Sequence, residues 1–74
     1  MIKRTTGHIT LVQEDRFRLM TKEGQAFLLT LGHNASLKEK DLLDWYKKGT
    51  DVIVEYEGDA GMESGTARSV KVVD

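Results

Sequence analysis

Cysteine is absent from these 74 residues. Neither a disulfide nor a thiolate zinc site can therefore supplement the hydrophobic core. Aromatic residues are few: Phe17, Phe27, Trp45, Tyr46 and Tyr56. No apolar run approaches the roughly 18 residues that a membrane-spanning helix needs. Met1 to Gly7 carries charges with no apolar stretch behind them, so no signal peptide is expected and the cytoplasm is the expected compartment. An excess of basic charge is missing too. The formal net charge is −1, with a surplus of +2 over residues 1–30, +1 over 31–50 and −4 over 51–74. A strong, sequence-blind polyanion binder needs a clear basic excess. This balance leaves room only for a local basic face.

What is present is a folding composition, 39% hydrophobic and 31% charged. The length fits one domain over residues 1–74. A domain this small buries only about 60% of its unfolded surface, so its core must be compact.

Alternation of apolar and polar residues dominates the chain, with one helical interruption. His8–Val12 reads as a strand with Ile9 and Leu11 on one face. Gln13-Glu14-Asp15 is a polar turn. Arg16–Thr21 and Gln25–Leu31 then form a hairpin around Lys22-Glu23-Gly24. A three-residue loop with Gly24 in the left-handed region pairs Phe17 with Leu29 and Leu19 with Phe27. A two-residue loop would place Thr30 opposite Phe17, and burial argues against it. Ser36–Lys48 changes period: Ser36 and Glu39 have capping-box spacing, and Leu42, Leu43, Trp45 and Tyr46 form an apolar arc. Lys47 and Lys48 suit the helix C-terminus, and Gly49 stops it. Asp51–Glu57 alternates again, with Val52, Val54 and Tyr56 on one side. Gly58–Gly65 reads as a loop. Thr66–Val73 is the last strand, with Ala67, Ser69 and Lys71 opposed to Arg68, Val70 and Val72.

The expected order is β-β-β-α-β-β. Three packings compete: a closed barrel, an SH3-like barrel and an open α+β sheet. The long helix after the third strand and the need to remove sheet edges favour the closed barrel. In these features the chain resembles the OB-fold superfamily, whose members are small five-stranded Greek-key barrels with one helix. The resemblance rests on Gly7-His8-Ile9 opening the first strand, the Phe17–Leu29 hairpin and the capped helix ending at Gly49. It also rests on the strand Asp51-Val52-Ile53-Val54 and a closing strand of small and β-branched residues. These are architectural features, shared by nucleic-acid-binding OB domains and by OB modules with no nucleic-acid role.

The resemblance implies a ligand face on the outside of the second and third strands. Arg16, Arg18, Met20, Leu28 and Thr30 would occupy it, with Lys3, Arg4 and Lys22 as basic neighbours. Two functions follow as expectations. One is a non-catalytic module binding single-stranded nucleic acid weakly through that face. The other is a protein-interaction or accessory module. Stacking aromatics drive single-strand binding, at about 1–3 kcal/mol per base, and here most aromatics read as core.

The remaining candidates carry little chemistry. His8 and His33 have no third ligand at a recognisable spacing. Glu55, Glu57 and Asp59 alternate on one strand, with Glu63 nearby, but lack the pattern of a calcium loop. Ser64 lies in Gly61-Met62-Glu63-Ser64-Gly65, where the spacing of a nucleophile elbow is wrong. Lys38, Lys40, Lys47 and Lys48 interleave with acids on a solvated helix face. No phosphate-binding glycine loop occurs. The expectation is a protein without catalytic residues, metal or cofactor.

Overall fold

A computed structural model describes residues 2–33, 35, 37–58 and 64–73. The elements are β1 (Ile2–Gln13), β2 (Arg16–Met20), β3 (Ala26–Leu31), α1 (Glu39–Lys48), β4 (Asp51–Gly58) and β5 (Ser64–Val72). The five strands form a closed barrel in the order β1-β2-β3-β5-β4, with β4 paired back to β1. All neighbours are antiparallel except β3 and β5. The β-β-β-α-β-β order and the all-β class with one helix are as expected.

Closure depends on β1, which is longer than the alternation around His8–Val12 indicates. Ile2–His8 pairs with β4, and His8–Gln13 pairs with β2. Gly7 sits where the strand passes from one partner to the other. A Cβ there would fall inside contact distance of the Met20 carbonyl, so the close approach of β1 and β2 requires glycine.

The β2–β3 hairpin has the expected register, with Phe17 opposite Leu29 and Leu19 opposite Phe27. Thr21 and Gln25 close the loop through a 2.9 Å backbone bond, and Gly24 adopts φ 84°. All four apolar side chains are buried.

Two β-bulges break the expected alternation. In β1, Ile9 pairs with Leu19 and Leu11 with Arg18, which leaves Thr10 as the extra residue. Ile9 and Leu11 therefore do not share a face: Ile9 is buried, Val12 packs against the core, and Leu11 is 42% exposed. In β5, Ser69 pairs with Glu55 and Ala67 with Tyr56, so Arg68 is the extra residue. Ala67 and Val70 both point inward as a result, contrary to the alternation. Bulges bend and twist a strand, which a small barrel needs in order to close.

The helix also departs from expectation at its start. Lys38 is the N-cap, two residues beyond Ser36, which lies outside the described residues. Asp41 takes the role assigned to Glu39, its carboxylate accepting the Lys38 N–H at 2.9 Å. Gly49 ends the helix with φ 64°. Leu42 is fully buried within the core, Trp45 and Leu37 pack against that core, and the helix contacts β1. Of the segment expected to be a loop, Gly58–Gly65, both end glycines pair within the sheet and Ser64 opens β5. Residues 59–63, with Asp59 and Glu63, lie outside the described residues.

The core consists of Ile9, Phe17, Leu19, Phe27, Leu29, Leu42, Val52, Val54, Tyr56, Ala67 and Val70. Phe27 and Tyr56 meet with ring centroids 5.6 Å apart and planes tilted by 56°, within the favourable range for aromatic pairs.

Candidate binding face

The outer surface of β1, β2, β3 and the start of β5 forms a regular grid. Arg16 and Arg18 are two residues apart on a five-residue strand, alternating with the buried Phe17 and Leu19. Period-2 geometry therefore sends both guanidinium groups outward together. One cross-strand row runs Gln13–Arg16–Thr30–Thr66, and the next runs Leu11–Arg18–Leu28–Ser64. Leu28 is 53% exposed. Met20 is half-buried opposite His8 and Ala26.

The Thr10 bulge organises this surface. Its hydroxyl accepts the Arg18 Nε–H at 3.0 Å. Arg18 is thereby held across the strand, between exposed Leu11 and exposed Leu28. An open groove of about 510 Å³ adjoins this row, bounded by Asp15, Arg16, Leu28, Thr30 and the first residues of β5.

Of the expected site residues, Arg16, Arg18, Met20, Leu28 and Thr30 share this face. Lys22 is exposed in the β2–β3 turn, beyond Met20. Lys3 and Arg4 do not join them. They lie on the half of β1 that pairs with β4, opposite Tyr56 and Glu55. Arg4 is committed to Glu55 at 3.3 Å, beside Ser69 and Lys71. The Ser69 hydroxyl, 3.0 Å away, and the Arg4 guanidinium hold the Glu55 carboxyl below the usual carboxylate range.

Leu11, Thr10, Ser64 and Thr66 were missed as face residues. The bulge that turns Leu11 outward leaves no local mark, and the β3–β5 pairing is long-range. No aromatic residue is on this face: Phe17, Phe27 and Tyr56 are buried, Trp45 is half-buried, and Tyr46 is exposed on the helix.

Elsewhere, His33 lines a separate groove with Glu57 and Arg68, which are ion-paired at 2.7 Å. Among the described residues no three histidine, aspartate or glutamate side chains gather to hold a metal. Ser64 opens β5 beside Leu28, a strand setting and not the strand–turn–helix of a nucleophile elbow. No described helix is long and apolar enough to cross a membrane. No family model and no curated protein matches this chain.

Proposed function

We propose that this chain is a non-catalytic binding module of the OB superfamily that uses the outer β2–β3 face to hold a protein partner. The ring order, the long first strand shared between two partners and the helix between β3 and β4 support the superfamily assignment. Fold alone does not choose the ligand.

One observation carries the choice of a protein ligand: the row Leu11–Arg18–Leu28. It offers two exposed leucines around a braced guanidinium and no aromatic ring. Arginine is enriched at protein interfaces, and exposed leucine adds apolar area for a partner to cover. Stacking on bases needs rings that this face lacks. A net charge of −1 also removes the long-range attraction a polyanion binder depends on.

A nucleic-acid ligand is the second reading, favoured by one feature. Arg16 and Arg18 project together, and neither is ion-paired among the described residues.

Selection of a random displayed peptide library on the immobilised chain tests the first reading. Peptides retained by the wild type and lost on Leu28→Ser and Arg18→Ser support it. An amide NMR titration with short mixed-sequence single-stranded DNA and RNA forms the other arm. Shifts clustered on Arg16–Met20 and Leu28–Leu31 that fade as salt rises, with no peptide selected, would replace the protein reading with the nucleic-acid one.

A further inference from the structure

The groove beside the leucine row has its own chemistry. Arg16, Thr30 and Thr66 stand in register across β2, β3 and β5, and all three are exposed. Neighbouring strands are about 4.8 Å apart, so the three side chains span about 10 Å of one outer surface. Ser64 adds a further hydroxyl from the adjacent row.

These groups are uncommitted, which distinguishes them from similar groups elsewhere. Arg4 is bonded to Glu55, Arg68 to Glu57 and Arg18 to Thr10. Arg16 is the one arginine with no side-chain hydrogen bond or ion pair among the described residues. Thr30, Ser64 and Thr66 hydroxyls are likewise unbonded there, whereas the Ser69 hydroxyl is spent on Glu55. A guanidinium and three hydroxyls around an open groove are donors suited to an oxyanion.

Asp15 narrows the choice of anion. It lines the same groove but makes no ion pair with Arg16. Its carboxylate disfavours a run of phosphates more than a single carboxylate bound edge-on to Arg16. Leu28 lines the groove and also belongs to the neighbouring row, so an apolar group must sit close to the anion. The two rows are two residues apart along β2, about 6.6 Å. That is also the spacing of residues i and i+2 in an extended peptide.

We propose that the β2–β3–β5 groove binds the carboxylate of an acidic side chain in an extended peptide, on Arg16, Thr30 and Thr66. An apolar side chain two positions along the peptide rests on Leu28, beside the braced Arg18. The recognised pattern is acid–x–apolar. This assignment rests on the protein-ligand reading above.

The test is an amide NMR titration of the full chain with an end-capped peptide of repeated Glu-Ser-Leu, at near-physiological salt. A Gln-Ser-Leu peptide is the control. Wild type binds the glutamate peptide roughly fivefold more tightly, the scale of one partly solvated charge-assisted contact. Shifts concentrate on Arg16, Leu28, Thr30 and Thr66. Arg16→Gln brings the two peptides to equal affinity, and Thr66→Val narrows the gap. Leu28→Ser weakens both peptides alike. All three positions are exposed, so the variants keep a dispersed amide spectrum.

Equal wild-type affinity for the two peptides, with Leu28→Ser still weakening both, overturns the oxyanion assignment and leaves the protein-ligand reading standing. Binding of neither peptide at millimolar concentration, with single-stranded DNA shifting the same amides, overturns both. Binding of neither peptide and no response to DNA also overturns the proposal.

Discussion

Leu11, Leu28 and Leu29 are chemically identical and energetically unlike. Leu29 is fully buried, whereas Leu28 is 53% exposed and Leu11 is 42% exposed. Truncating Leu29 removes apolar contacts and leaves a cavity, so Leu29→Ala costs about 2–5 kcal/mol. A domain of this length has about 4–11 kcal/mol of total stability, so that loss is visible as a large fall in the urea midpoint. Leu11→Ser and Leu28→Ser change the unfolding free energy by no more than about 0.5 kcal/mol in the same measurement. Gly7 shows a different constraint. Gly7→Ala places a methyl against the Met20 carbonyl and carbon, which are backbone and cannot swing aside. Urea unfolding of this variant shows a loss of about 1–3 kcal/mol, the cost of overpacking.

Among elements, the β2–β3 hairpin was legible residue by residue. Its loop chemistry and its buried face demand the same register. The helix was legible in its middle and at Gly49 but not at its start. Several polar residues around Ser36 to Asp41 can cap, and local spacing does not choose among them. The structure chooses Asp41, so the prediction belongs there. Asp41→Ala leaves the Lys38 N–H to water and removes an acid from the first turn, lowering stability by about 0.5–1 kcal/mol. Glu39→Ala costs less in the same denaturation series. The bulged strands were the least legible elements. Thr10 and Arg68 look like ordinary members of an alternating run, and only closure of the barrel requires an extra residue there.

At the scale of the whole molecule, β1, β4 and β5 are tied by one polar group in addition to their backbone ladders. Glu55 accepts from Ser69 at 3.0 Å and from Arg4 at 3.3 Å. Its folded pKa is lowered, first by the Ser69 hydroxyl and then by Arg4. The folded state therefore binds this proton less readily than the unfolded chain. The contribution of Glu55 to stability is fully present above the usual carboxylate range and is lost as pH falls through the lowered folded value. Glu55→Gln removes that dependence. In urea unfolding at neutral and at acidic pH, the gap between wild type and Glu55→Gln closes toward acid. A gap that stays constant would show that this carboxylate is not coupled to folding.

The sequence by itself determined the strand and helix order, the hairpin register and the inward fate of Phe17, Leu19, Phe27 and Leu29. These follow from local periodicity, turn chemistry and the need to bury apolar surface, all of which act over a few residues. It also placed Arg16, Arg18, Met20, Leu28 and Thr30 on one outer face. Tertiary structure alone decided that Lys3 and Arg4 lie beside β4, that Leu11 turns outward and that Thr66 stands in line with Arg16. Each of those outcomes depends on which distant strand becomes a neighbour and where a bulge relieves the curvature of a closed sheet. Ring closure sets both, and no window of the chain contains it.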